Sequence, residues 1–189
     1  SGDEIEAGQV LAAIGRDPAT EGLGLETAGV TVGARGEILV DSRSQTTAAG
    51  IYAVGDVTNR ANLTPVAIRE GHAFADTVFG GKPTTFDYRV VPTAVFTTPE
   101  LATVGLSEED ARARGHDVHV YKSRFRPMRN ILAGREERTF MKLVVDETTD
   151  AVLGCHVLGP DAAEMVQMAA VALTLGATKA DFDRTIALH

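Results

Sequence analysis

Residues 50–57 read GIYAVGDV and residues 63–67 read LTPVA. The first stretch is a short apolar run closed by a Gly-Asp pair, which predicts a buried strand ending in a tight turn. The second predicts a helix start, with Thr64 as the N-cap and Pro65 at the first helical position. Glycine lets a ligand approach the backbone, and an aspartate at a strand's carboxyl end can accept hydrogen bonds from sugar hydroxyls. The pattern predicts a nucleotide-binding unit, although such an aspartate can also simply cap a turn.

Apolar runs on both sides of this stretch predict further strands of the same unit. Residues 10–14 (VLAAI) are continuously apolar and end at Gly15, which is typical of a strand covered on both faces. Residues 37–40 (EILV) follow a turn and predict another strand. The helix that begins at Thr64 is expected to run to the glycine pair at 80–81. The first part of the chain is therefore predicted to be the end of an α/β domain.

The second part of the chain has a different pattern. Gly, Lys, Pro and Thr cluster in residues 81–88, which predicts a boundary, and we divide the chain into 1–85 and 86–189. Short strand and helix patterns alternate after it, with a hairpin over 139–158 and the longest helix over 161–175. This order predicts a small α+β domain with an antiparallel sheet.

Composition excludes several classes of function. The 189 residues carry 26 acidic and 18 basic side chains, a net charge of −8, so neither nucleic acid nor a membrane is expected as a partner. No apolar run approaches the ~18 residues of a membrane span, no leader is recognised, and a cytoplasmic location is expected. The single cysteine, Cys155, excludes an internal disulfide. His116, His119 and His156 lack ligand spacing, so no metal is expected.

Several motifs together resemble a known family. They are AIGRDP at 13–18, GLGLE at 22–26, IYAVGDV at 51–57, LTPVAIREG at 63–71, FRPM at 125–128, MKLV at 141–144 and GATKADFD at 176–183. The chain closely resembles the pyridine nucleotide–disulfide oxidoreductases of class I. Within them it is most similar to the glutathione-disulfide reductases of bacteria and plants, whose version of the LTPVA motif differs from that of dihydrolipoamide dehydrogenases. The resemblance covers essentially the whole chain.

The resemblance implies two cofactors, FAD and NADPH. Asp56, preceded by Gly55, matches the aspartate that binds the ribityl chain of FAD, and the helix N-terminus at Leu63 and Thr64 matches the one that points at the flavin pyrimidine edge. A helix dipole favours negative charge on a reduced flavin at that edge. Residues 1–85 would then be the tail of the NADPH domain and the second part of the FAD-binding domain.

Gly15 and Arg16 match the family's segment that leads back out of the NADPH domain. In the family, the arginine of this segment lies against the nicotinamide nucleotide. From the residues alone, Arg16 is equally well explained as a surface charge after a turn. Residues 86–189 match the dimerisation domain, so the resemblance implies a homodimer.

The substrate implied by the resemblance is glutathione disulfide. His189 matches the histidine that reaches into the partner subunit and acts as acid and base for the thiols. Met128 and Arg129 match the loop that borders the substrate across the dimer, and Arg69 and His72 lie one helical turn apart near the place of a glutathione carboxylate. A gap-filling methionine and a solvated helix face are the plainer interpretations.

Two motifs of the family are absent from the chain. It contains neither the GxGxxG that opens a nucleotide domain nor the CxxxxC redox pair, and Cys155 is expected to be a buried, inert thiol. We therefore expect a C-terminal portion of such an enzyme that is inactive alone. The alternatives are another flavoprotein disulfide reductase (dihydrolipoamide dehydrogenase, trypanothione or mercuric reductase) or a non-catalytic dimerisation module.

Overall fold

The computed structural model describes residue 2 and residues 4–188. Within them the chain divides between Phe86 and Asp87 into two compact units. None of the helices in these ranges combines the length and the apolar character needed to cross a bilayer.

The N-terminal unit is organised around a 3₁₀ turn at Gly55–Thr58 and helix α1 at Thr64–Val78. Loops joined by isolated bridges, such as Val32 with Ile38, precede the turn. A small core of Val30, Ile38 and Ala53 lies beneath them. Helix α1 begins as predicted, except that Leu63 rather than Thr64 is its N-cap. Pro65 lies in the first turn, where a helix does not need its amide hydrogen.

The strand predicted over residues 10–14 is wrong. Val10, Leu11 and Ile14 are 88%, 91% and 98% exposed, and this segment pairs with no strand in the described part of the chain. The segments at 37–40 and 51–54 form single bridges instead of strands. The physical reason is that a strand exists only where a neighbouring segment supplies its hydrogen bonds, whatever its own apolar content.

The C-terminal unit has the predicted α+β architecture. Its described residues form strands β1 (Thr93–Val95), β2 (Leu101–Gly105), β3 (Val118–Phe125), β4 (Thr139–Asp146) and β5 (Val152–Leu158). They make one antiparallel sheet in the order β1-β2-β5-β4-β3. The helices are α2 (Glu108–Ala113), α3 (Met128–Leu132), α4 (Ala162–Thr174) and α5 (Lys179–Arg184). The short α3 was not expected from the sequence.

Helices cover both faces of this sheet. Helix α4 packs on β1, β2 and β5 through Val166, Ala170 and Leu173, which join a core that includes Val104 and Val157. On the other face Ala111 of α2 packs with Val118 and Val144. Because side chains alternate along a strand, neighbouring residues of β4 serve both cores.

Local capping explains where the short helices start. The Ser107 hydroxyl accepts a hydrogen bond from the Asp110 amide at 3.0 Å and begins α2. Thr178 and Asp181 form a capping box at α5. The Thr178 amide and hydroxyl donate to the Asp181 carboxylate and lower its pKa.

The β4–β5 hairpin is tied to the loop after α2 by a His–Asp pair. His116 Nδ1 lies 2.7 Å from Asp146 Oδ2, and Asp146 Oδ1 accepts hydrogen bonds from the amides of Thr148 and Thr149. The hydrogen bond from His116 is the main cause of a lowered pKa of Asp146, and the two amides add to it. A carboxyl with a lowered native pKa stabilises the fold above its unfolded pKa, and this contribution is lost as pH falls through the native pKa.

Replacing Asp146 with asparagine should therefore make the melting temperature less dependent on pH in the acid range. Thermal unfolding of the unsubstituted chain should become easier below about pH 4, the usual aspartate pKa. In Asp146→Asn the melting temperature should be lower at pH 7 and change less on acidification. Asp117→Asn, which removes a negative charge directly beside His116 in sequence, is the matched control. Equal acid slopes in Asp146→Asn and the unsubstituted chain would contradict the assignment.

Candidate functional site

The Gly55–Thr58 turn lies against helix α1. Gly55 has φ +76°, a conformation that L side chains rarely adopt. A Cβ at this position would lie 3.0 Å from the Cβ of Ala67 in α1. Both the backbone conformation and the space therefore require glycine here. Asp56 follows directly, and its side chain is 45% exposed.

A carboxylate from α1 holds this turn. Glu70 is 2% exposed, and its Oε2 accepts a hydrogen bond of 2.6 Å from the Gly55 amide. Its Oε1 lies 3.1 Å from Nη2 of Arg60. Sequence reasoning missed both residues. The available signal was that Glu70 falls four residues after Val66, on the face of α1 that is buried, where a charged residue requires a partner.

The N-terminus of α1 presents backbone amides near the turn. Its N-cap, Leu63, makes no side-chain capping hydrogen bond, and helix α1 packs against the Gly55–Thr58 turn. First-turn amides and the helix dipole together favour a negatively charged or hydrogen-bond-accepting group. Leu63 and Thr64, which were predicted to face a ligand, therefore lie on the element that contacts the Asp56 turn.

Arg16 also comes near this turn. Its Nη2 lies 3.9 Å from Asp56 Oδ2, with 82% of the Arg16 side chain exposed. An ion pair of this length and exposure contributes little to stability. Gly15 has φ +122° and open space around it. The N-terminal unit thus brings the predicted Gly15-Arg16 segment to the predicted Asp56.

The remaining predicted residues are placed as follows. Arg69 and His72 are exposed on α1. Met128 is the first residue of α3 and is 85% exposed. Arg129 Nη2 makes a 2.8 Å ion pair with Asp161 Oδ2, the residue before α4. His189 lies outside the described residues.

Histidines in the described part of the chain do not form a metal site, since no three His, Cys, Asp or Glu side chains cluster there. Burial, with the charge of Lys142, lowers the pKa of His156. Its Nε2 lies 3.1 Å from the Leu106 carbonyl oxygen, to which a ring N–H donates. This hydrogen bond joins β5 to the residue after β2, so His156 has a structural role in the sheet.

Cys155 is a buried thiol, as predicted. It lies in β5, is 8% exposed, and belongs to the core under α4. Burial raises the pKa of its thiol to about 11. The thiolate, which is the reactive form, is therefore scarce at neutral pH.

Labelling of Cys155 by the thiol reagent dithiobis(nitrobenzoic acid) should be slow in the folded chain. At pH 8 we expect a rate about a hundredfold below that of the urea-unfolded chain, because both access and thiolate fraction are low. The chain has one cysteine, so the absorbance of released thionitrobenzoate reports this site alone. Fast, complete labelling in native buffer would contradict the burial.

Comparison with known proteins matches two family models to the chain. The family model for pyridine nucleotide-disulphide oxidoreductases matches residues 1–71, and the model for their dimerisation domain matches residues 91–189. A curated glutathione reductase of Burkholderia cepacia is 57% identical over the whole chain, and a trypanothione reductase of Leishmania donovani is 42% identical over it. These matches cover 42% and 38% of the two relatives, so the chain spans about two fifths of their length.

A solved structure agrees with the family assignment. The HOCl-induced flavoprotein disulfide reductase RclA from Escherichia coli matches 94% of this chain, and 41% of its own, with a TM-score of 0.82 and 35% identity. The predicted fold class, an α/β end of a nucleotide-binding domain followed by an antiparallel dimerisation domain, is confirmed. The chain belongs to the pyridine nucleotide-disulphide oxidoreductases.

Proposed function

We propose that this chain is the C-terminal part of an FAD-dependent, NADPH-using glutathione-disulfide reductase. In that enzyme it supplies part of the FAD site, the subunit interface and an acid–base histidine, His189. The observation that carries the proposal is the half-exposed Asp56 carboxylate, which directly follows Gly55, a glycine packed closely against Ala67 of helix α1. The relative that is 57% identical along the whole chain supports glutathione disulfide as the substrate.

The residues at this turn fit a flavin. The side chain of Asp56 is half exposed, so it is open to the hydroxyls of a ribityl chain. No side chain caps the first turn of α1 at Leu63, so the Thr64 amide can donate to the flavin pyrimidine edge, while the Leu63 amide donates to the Ala61 carbonyl at 2.9 Å. When bound, FAD would supply the two-electron chemistry of disulfide reduction.

NADPH is proposed to contact Gly15 and Arg16. The Arg16 guanidinium is largely exposed and held only by a 3.9 Å contact, so a nucleotide could engage it without breaking a strong pair. The phosphates of a nucleotide attract such a cation.

The C-terminal unit is proposed to form a homodimer. Helix α4 and its C-cap, Leu175, expose apolar side chains: Met168 is 71%, Val171 52% and Leu175 82% exposed. Covering such a stripe removes apolar area from water, which favours association. Sedimentation of the chain at micromolar concentration should show self-association, and a monomer there would count against it.

Substrate contacts are proposed for residues of both units. Met128, Arg129, Arg69 and His72 are exposed or at the start of an exposed helix, so they are accessible to an acidic peptide disulfide. Arg129 would share its guanidinium with Asp161, with which it is paired at 2.8 Å. His189 would protonate the departing thiolate in the partner subunit's site.

Substrate choice separates this proposal from its nearest alternative, trypanothione reductase, which is represented by a relative of lower identity. We expect the full-length protein, purified with its flavin, to reduce glutathione disulfide with NADPH at least tenfold more efficiently than trypanothione disulfide, a margin typical of one charged contact. A preparation without flavin, or one that prefers trypanothione disulfide or lipoamide, would overturn the proposal. The 189-residue chain alone should show no turnover, since its lone cysteine is buried.

A further inference from the structure

We propose that Glu70, paired with Arg60, is the positioning residue of the Asp56 turn. Its buried carboxylate fixes the Gly55 peptide and thereby the direction in which the Asp56 carboxylate meets the flavin. The role of Asp56 in flavin binding is part of the proposed function, so this inference rests on it.

The contacts around Glu70 form a closed ring. The Gly55 amide donates to Glu70 Oε2 at 2.6 Å, and the Thr58 hydroxyl donates to the Gly55 carbonyl at 2.8 Å. Nε of Arg60 donates to the Thr58 hydroxyl at 3.2 Å, and Nη2 of Arg60 closes the ring on Glu70 Oε1 at 3.1 Å. The ring therefore holds both polar groups of the Gly55 backbone.

Arg60 extends this ring to a third segment. Its Nη2 also donates to the Ser44 hydroxyl at 3.3 Å, and Ser44 is 6% exposed. The Ser44 carbonyl in turn accepts from the Ala53 amide at 3.0 Å, just before the turn. The guanidinium is therefore linked to the residues on both sides of Gly55, through Ser44 to Ala53 before it and directly to Thr58 after it.

Stability alone gives a weak reason for this arrangement. Taking a carboxylate and a guanidinium out of water is unfavourable, and apolar replacements for buried ion pairs are often neutral or stabilising. Val66, one turn earlier on the same face of α1, shows that an apolar side chain suits this environment. An apolar residue at position 70 would, however, leave the Gly55 amide without its acceptor. The charged pair therefore serves the geometry of the turn.

The effect reaches Asp56 through the backbone. Asp56 is the next residue after Gly55, and its ion pair with Arg16 is long and exposed. Such a weak contact does not fix the direction of a side chain. We therefore assign the orientation of the Asp56 carboxylate to the Gly55 backbone, whose amide is bound by Glu70 and whose carbonyl accepts from the Thr58 hydroxyl of the same ring.

Two double variants of the full-length flavoprotein test this. Glu70→Gln with Arg60→Met keeps an oxygen for the Gly55 amide and removes the buried charges, whereas Glu70→Met with Arg60→Met removes the oxygen as well. Both lack the Arg60 contacts, so they differ only at position 70. FAD affinity, from quenching of flavin fluorescence on binding to the flavin-free protein, should fall at least about tenfold in the Met/Met variant and within about threefold in the Gln/Met variant.

A purely structural role predicts that flavin affinity follows thermal stability. We expect the flavin-free Met/Met variant to melt somewhat below the Gln/Met variant, because its Gly55 amide lacks an acceptor, and to lose more FAD affinity than Val66→Ala, which destabilises the same buried face of α1 without removing that acceptor. In the flavin-free chain, the ¹⁵N–¹H resonance of Gly55 should shift upfield in the Met/Met variant, because its short charge-assisted hydrogen bond is lost.

The outcomes separate the two proposals. Equal FAD affinity in the two double variants, with an unchanged Gly55 resonance, would overturn the positioning role alone. Absence of FAD binding by the unsubstituted full-length protein would overturn the proposed function, and this inference with it.

Discussion

A Gly154→Ala variant should fail to assemble the antiparallel sheet of the C-terminal unit. Gly154 in β5 lies opposite Gly105 at the end of β2. A Cβ on Gly154 would overlap the backbone carbonyl oxygen of Leu106, and one on Gly105 would overlap that of Leu153. These obstacles are backbone atoms, and the Leu106 amide is hydrogen-bonded to Leu153 at 2.8 Å, so neither strand can retreat without breaking the pairing.

The expected loss exceeds about 4 kcal/mol, a value reached only by substitutions that disrupt the core or the backbone. A loss of this size takes most or all of the stability of a domain near the lower end of the usual range, about 5 kcal/mol, so far-ultraviolet circular dichroism should show reduced β-structure at 25 °C and the urea midpoint should fall sharply. Gly115→Ala is the control: its φ is +85° but nothing lies within 4 Å of its Cβ, so it should fold with a loss of about 1–2 kcal/mol from backbone strain alone. A folded Gly154→Ala chain with a near-normal urea midpoint would contradict the register.

The second large effect is expected at the Asp56 turn. Gly55→Ala combines an unfavourable φ of +76° with a Cβ placed 3.0 Å from Ala67, and it disturbs the peptide held by Glu70. Gly22→Ala has the same φ of +76° in open space, so the pair of variants separates strain from crowding. Strain alone should destabilise the N-terminal unit by about 1–2 kcal/mol in both.

Flavin binding should distinguish these two glycine variants. In the full-length protein we expect the affinity for FAD to fall at least about tenfold in Gly55→Ala and to stay near normal in Gly22→Ala, since only the first moves Asp56. Fluorescence titration of the flavin-free proteins measures both. Equal losses in the two variants would mean that the turn has no special part in holding the flavin.

Features that depend on nearby residues could be predicted from the sequence. The start of α1 was placed within one residue, and the β4–β5 hairpin and α4 lie where the pattern put them. Capping, proline placement and apolar periodicity act over a few residues, so the sequence displays them directly.

Features that depend on distant partners could not be predicted in this way. The apolar run at 10–14 has the composition of a strand but no pairing partner in the described chain, so it is exposed. Arg129 was predicted from its loop, yet its ion pair with Asp161 joins residues 32 apart in sequence. No local pattern distinguishes such a paired arginine from a free one.

The family motifs, the Gly-Asp turn before a helix and the antiparallel second domain could be recognised from residue order, because each depends on residues that are close together in the chain. The contacts that hold that turn could be seen only in the folded structure. Glu70 meets the Gly55 amide across fifteen residues, and Arg60 completes the ring, through packing of α1 on the turn. The partner of a buried charge is fixed only when folding brings distant residues together, and here that partner orients the Asp56 carboxylate.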